Sequence, residues 1–200
     1  MFRFFSSNQK TQFSYDFGVC PLMKLVNGKY KALCGVTKCY AARLLNVRKN
    51  LAVKLDVLKN RMQLIEYELK LLNAFASADP RFLLRAFSFG DFMPEHEDEF
   101  RQIVDGFEGR HIAISKTLWI NDKVELIKHV GSRIELSLGF TKQLYPKFKG
   151  WYQVNKNLPF SLAFTYNSLD EFEWLKKHDP ELFNEVDVFH DALVHSRISQ

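Results

Sequence analysis

Residues 81–116 read RFLLRAFSFGDFMPEHEDEFRQIVDGFEGRHIAISK. Two short apolar runs, RFLLRAFSF (81–89) and HIAISK (111–116), flank the amphipathic stretch MPEHEDEFRQIVDGF (93–107). Pro94 stands near the start of that stretch, and acids fill its first turn, where a helix dipole favours them. Strand, helix, strand at this spacing predicts two parallel strands joined by a right-handed crossover.

The same alternation continues on both sides. TQFSYDFGV (11–19) alternates with Phe13, Tyr15 and Phe17 on one side and closes on a glycine, which predicts a first strand. Downstream, NDKVELIKHV (121–130) reads as a helix capped by Asn121, RIELSL (133–138) and FSLAFTY (160–166) as strands, and SLDEFEWLKKH (168–178) as a Ser-capped helix. EVDVFHD (185–191) reads as a final strand. GFTKQLYPKFKGWYQVNKN (139–157) lacks periodicity and is expected to be a long loop. From about residue 40 to 77 a helical region carries Leu51, Leu55, Leu58, Met62, Ile65, Leu69 and Leu72 at alternating steps of four and three. That stripe is read as a helix packed on a sheet, with a coiled-coil seam as the other option. The expectation is one α/β domain of 200 residues with about six mainly parallel strands and crossover helices. A partial α/β barrel is the first reading, and an open doubly wound sheet is the alternative.

Composition excludes some classes. Hydrophobic residues make up 46% and charged residues 26%, and 19 phenylalanines imply a thick aromatic core, so disorder is excluded. No apolar run approaches the length of a membrane span, and MFRFF followed by polar SSNQK is too short for a secretory signal. A soluble, cytoplasmic protein with no membrane partner is expected. Three cysteines cannot all pair within one chain, which points to free thiols or metal ligands in a reducing compartment.

In both candidate architectures the chemistry sits at the carboxyl ends of the strands. There the sequence places Cys20, Cys34 and Cys39 after the first strand, then Ser88, Phe89, Gly90 and Asp91, then Ser115, Lys116 and Thr117, then Ser137 and Gly139, and last Thr165, Tyr166 and Asn167. So many polar groups in corresponding places suit a ligand-binding mouth. Each also has a structural reading: Asp91 as cap of the helix near Pro94, Lys116 snorkelling to solvent, the hydroxyls as caps. The six histidines show no metal-site spacing.

All three cysteines lie in CPLMKLVNGKYKALCGVTKCYAAR (20–43), spaced C-x13-C-x4-C. Thiolates bind iron or zinc, and the surrounding lysines are expected to depress the thiol pKa. A structural zinc site takes four ligands, whereas three cysteines on a four-iron, four-sulfur cluster leave one iron open. From Lys24 to Arg61 ten basic residues face one acid, Asp56. Lys24, Lys29, Lys31, Lys38, Arg43, Arg48 and Lys49 are therefore candidates to bind nucleic acid or another anion, with a solvated helix face as the plain alternative.

CP…CGVTKCYAAR, then NVRKN, RAFSFGDF and ISKT, resemble a phage family known as gene product eighty-eight, over about Phe17 to Tyr166. The likeness implies a protein of the infected bacterial cytoplasm. The arrangement is also similar to the radical S-adenosylmethionine superfamily, in which a three-cysteine loop follows the first strand of a partial barrel. That resemblance implies a four-iron cluster on Cys20, Cys34 and Cys39, with Gly90 and Asp91 at the position that holds the methionine amino group. Ser137 and Glu135 would face the ribose, with Ser88 and Ser115 beside the cofactor. Lys116 and Tyr166 would stand next to a substrate, nucleotide or nucleic acid, from which a hydrogen is abstracted. The usual spacing in that superfamily is C-x3-C-x2-C, and here the first gap is 13 residues. Zinc in a non-catalytic, nucleic-acid-binding module is the alternative to the enzyme.

Overall fold

The structure is a computed structural model that describes residues 3–8, 12–34, 39–48, 50–59, 61–87, 90–139, 142–166, 168–185 and 187–190. In chain order the elements are β1 (Ser6–Asn8), β2 (Gln12–Tyr15), β3 (Met23–Val26), β4 (Lys29–Ala32), α1 (Tyr40–Val47), α2 (Asn50–Lys59) and α3 (Ile65–Ala78). Then follow β5 (Leu83–Ala86), α4 (Glu97–Gly106), β6 (Arg110–Ser115), α5 (Thr117–Ile120), α6 (Val124–Val130) and β7 (Ile134–Gly139). The chain closes with α7 (Tyr145–Asn155), β8 (Phe160–Tyr166), α8 (Leu169–His178), α9 (Pro180–Glu185) and β9 (Asp187–His190).

Seven strands form one sheet in the order β1-β2-β5-β6-β7-β8-β9. Every pairing from β2 to β9 is parallel, and β1 is an antiparallel edge. The fold is therefore α/β with mainly parallel strands and interspersed helices, and the sheet is open, with no closed barrel. Because the order rises along the chain without reversal, the carboxyl ends of the parallel strands form one continuous row. That row positions the site.

Registry assigns the two faces. Tyr15 pairs with Ala86, Ala86 with Ala113, Ala113 with Ile134, and Leu136 with Leu162, so these side chains share one face. All of them meet Leu69 and Leu72 of α3, Phe100 and Ile103 of α4, Ile127 of α6 and Leu175 of α8 in a single apolar core. The opposite face carries Ser14, Arg85, Ile112, Ile114, Glu135 and Ser161. One face is thus an aromatic and aliphatic core, and the other is largely polar.

Two buried carboxylates tie loose segments to this core. Glu68 on α3 accepts hydrogen bonds from the backbone amides of Arg3 (2.6 Å), Phe4 (2.9 Å) and Phe5 (3.0 Å). These bonds hold the amino-terminal segment so that Phe4 and Phe5 enter the core. Asp179 accepts from Tyr145, Lys149 and the Leu182 amide, joining α7 to the α8–α9 turn.

Several expected elements are redrawn. The helical region after Cys39 is three helices, with a 3-10 turn at Met62–Leu64 before α3. Ile65, Leu69 and Leu72 of the leucine stripe are buried in the core, which makes that part of the stripe a helix packed on a sheet. The expected loop at 139–157 contains α7, where Pro146 sits in the first turn and Phe148, Trp151 and Tyr152 meet the core. Asn121 does not cap α6. It ends α5, and its side-chain amide donates to the Thr117 carbonyl.

Candidate functional site

The segment between the first two cysteines is a β-hairpin. Asn27 (φ 50°) and Gly28 (φ 72°) take the left-handed conformations of a two-residue turn, and β3 pairs with β4 from Val26↔Lys29 back to Met23↔Ala32. The Leu33 amide then donates to the Leu22 carbonyl at 2.6 Å. Cys20 and Cys34 consequently stand together at the neck of the hairpin. The 13-residue gap is taken up by a projection that returns the chain to its starting point. Asn-Gly between alternating strands was the sequence signal for this.

Cys39 precedes the first residue of α1, and its carbonyl accepts from the Arg43 amide. The position of α1 is fixed by Asn46, whose side chain accepts from the Tyr30 amide (2.6 Å) and donates to the Tyr30 carbonyl (2.9 Å) along the outer edge of β4. All three thiols are free, with Cys34 buried and the other two half-buried.

What the cysteines share is Lys116, at the carboxyl end of β6. Burial alone would lower the Lys116 pKa, but Cys34, Asp91, Cys39 and Cys20 outweigh it and the net shift is upward. Burial pushes the Cys20 thiol up to about 12, with nearby Asp91 adding to the rise; the Leu22 amide and Lys116 oppose it. The lysines that were expected to depress the thiol pKa do not control it, because Lys24, Lys29 and Lys31 project into solvent on the hairpin. No group of three or more His, Cys, Asp or Glu side chains among the described residues is arranged to hold a single metal ion. The three cysteines and Asp91 all lie near enough to Lys116 to act on its charge.

Compared with known proteins, the sequence matches no family model and no curated protein, and the fold matches no solved structure.

The structure gives Gly90 and Asp91 structural work. The Asp91 carboxylate is 4% exposed. It accepts from Ser115 Oγ (2.5 Å), Thr117 Oγ1 (2.9 Å), and the amides of Phe92 (2.8 Å) and Lys116 (3.0 Å). The structural alternative for Asp91 was a cap on the helix near Pro94, and the turn that it organises is the one from β6 into α5. The Gly90 amide donates to Asp16 Oδ1 at 2.7 Å, and a Cβ on Gly90 would stand 2.6 Å from the Gly18 carbonyl oxygen. Its missing side chain lets the loops after β2 and β5 touch.

Ser115 is buried, donating to Asp91 and accepting from the Leu118 amide. Glu135 and Ser137 both lie on the polar face of β7. Tyr166 ends β8, four strands along the row from β2; its side chain, with Ser88, Phe89, Lys38, Lys49 and Asn167, lies outside the described residues. Among the basic candidates, Lys24, Lys29, Lys31, Arg43 and Arg48 are all exposed. Sequence reasoning missed Asp16, a buried carboxylate between Tyr15 and Phe17 that fastens Gly90.

Proposed function

We propose that this chain is an iron-sulfur protein whose cluster is held by Cys20, Cys34 and Cys39 at the carboxyl edge of the sheet, serving a reaction on an anionic, nucleotide-like substrate. One observation supports this most: the β3–β4 hairpin returns the chain so that Cys20 and Cys34 stand together, with all three free thiols near Lys116. Cysteines distributed around a common volume suit a multi-iron cluster, whose ligands bind separate irons, better than a single zinc ion, whose ligands must meet at one point. When bound with S-adenosylmethionine, such a cluster would supply radical chemistry.

This chain's own residues would do the rest. Asp91 fixes the backbone of Lys116 through the β6–α5 turn, so its side chain leaves a rigid base close to the three cysteines. Lys116 would hold an anionic group of the substrate. With Asp91 engaged in that turn, Glu135 and Ser137 on the polar face are the better candidates to receive the cofactor.

Anaerobic reconstitution with iron and sulfide, followed by metal and sulfide analysis and visible absorption, tests the reading. About four irons per chain are expected, lost in Cys34→Ser. One zinc per chain under parallel loading would favour the zinc module, and failure to take up either metal would remove the cysteine-site reading.

A further inference from the structure

The hairpin that closes the cysteine gap has two unlike faces. Lys24 pairs directly with Lys31, and Lys29 pairs with Val26 on the same side, so three lysines share one face of a two-stranded ribbon. Each is exposed, and none has an ion-pair or hydrogen-bond partner among the described residues. Like charges directly opposite each other weaken a strand pair, and a two-stranded hairpin has little stability to spare. The sequence offers no relief nearby, since no acid occurs between Asp16 and Asp56.

The other face carries Leu25, 58% exposed, and Tyr30, with Leu33 beyond the strand end at 61%. The basic character continues onto α1 and α2. Asn46 fixes α1 to β4, Arg43 projects into solvent from α1, and Val47, Arg48, Asn50, Leu51 and Lys54 line an open groove where α1 meets α2.

We propose that the β3–β4 hairpin and the α1–α2 groove form a docking surface for single-stranded nucleic acid. Unpaired cations on one ribbon face meet backbone phosphates, and a strand that wraps the edge of the ribbon brings unstacked bases to the exposed Leu25 and the half-buried Tyr30 on the other face, a combination that suits single strands over a duplex. This deepens the anionic-partner side of the reading above and is independent of what the cysteines hold.

Fluorescence anisotropy of the metal-free full chain with a labelled 20-nucleotide oligothymidine tests it, so failure to load a cluster cannot produce a loss of binding. Binding should weaken as salt rises, with a logarithmic slope of about −0.7 per phosphate contact. Lys24→Ala with Lys31→Ala should reduce that slope by about 1.4, while Lys128→Ala on distant α6 leaves it unchanged. Lys24→Glu is the sharper probe: it places opposite charges across the ribbon, so the melting temperature should hold or rise while affinity falls about tenfold. Three results would overturn the proposal: a slope unaltered by the double variant, tighter binding to a duplex of equal length, or equal binding of polyglutamate at the same salt.

Discussion

The helix-covered face of the sheet and the excursion from Cys20 to Lys59 follow opposite rules. On the first, Leu72, Leu84, Phe100 and Ile103 are essentially inaccessible, and the buried carboxylates of Glu68 and Asp91 are each held by several donors. On the second, Leu25, Leu33, Val47 and Val53 are exposed, Lys24, Lys29 and Lys31 have no partner among the described residues, and Cys34, Ala42 and Leu45 are buried outside the main core. A segment that buries so little cannot account for the stability of the domain. The difference teaches where each property resides: the sheet and its helices carry stability, and the excursion carries cysteines and charged groups placed on that support.

Acid should strain the first region most. His111 stacks on Tyr15 and shares a hydrogen bond with its hydroxyl at 2.9 Å. Burial, with Arg133 adding to the effect, lowers its pKa from 6.5 to about 3. The unfolded chain therefore takes up the proton first. This contribution to stability is complete above pH 6.5 and declines by about 1.4 kcal/mol per pH unit as pH falls toward 3. Urea unfolding of the wild type and His111→Gln from pH 7 to 4 should show the decline only in the wild type. Equal profiles would show that His111 does not control the acid limb.

Leu72→Ala is expected to cost about 2–5 kcal/mol by leaving a cavity among α3, α4 and the sheet, read as a lower denaturant midpoint with unchanged slope. Next comes Asp91→Asn. An amide cannot satisfy donors on both of its ends, so the Ser115, Lys116 and Thr117 contacts cannot all persist, and the loss should be about 1–3 kcal/mol. A simple helix cap would tolerate asparagine, so an unchanged midpoint would return Asp91 to the list of ligand-binding candidates. Smallest is Leu25→Ala, expected to fall within about 0.5 kcal/mol. A loss as large as that of Leu72→Ala would mean that the hairpin is packed against something, and the contrast between the two regions would disappear.

The pattern of short apolar runs and capped helices was enough to find β5 to β9 and the crossover helices α4, α6 and α8. Ser168 does cap α8, its hydroxyl accepting from the Glu171 amide at 3.4 Å. Elements with weak local signals were less legible. β1 is three residues of SSN, whose pairing with β2 depends on Glu68 holding the preceding backbone from 60 residues and more away. α7 was obscured because a glycine and four lysines interrupt its neighbourhood, and only the core shows which of its aromatics face inward.

By itself the sequence determined the α/β class, the single long run without an acid around the cysteines, and the row of polar residues at strand ends, because these are properties of local order and composition. Tertiary structure alone decided what each of those residues does. Gly90 and Asp91 are neighbours in the sequence, yet only the folded chain shows Gly90 against the Gly18 carbonyl and Asp91 bonded to the β6–α5 turn. Cys20 and Cys34 look too far apart until β3 pairs with β4 and brings the two ends of the gap together. The physical reason is the same in both cases: hydrogen bonds and steric contacts between distant segments fix which polar groups are already satisfied, and a one-dimensional pattern cannot show that.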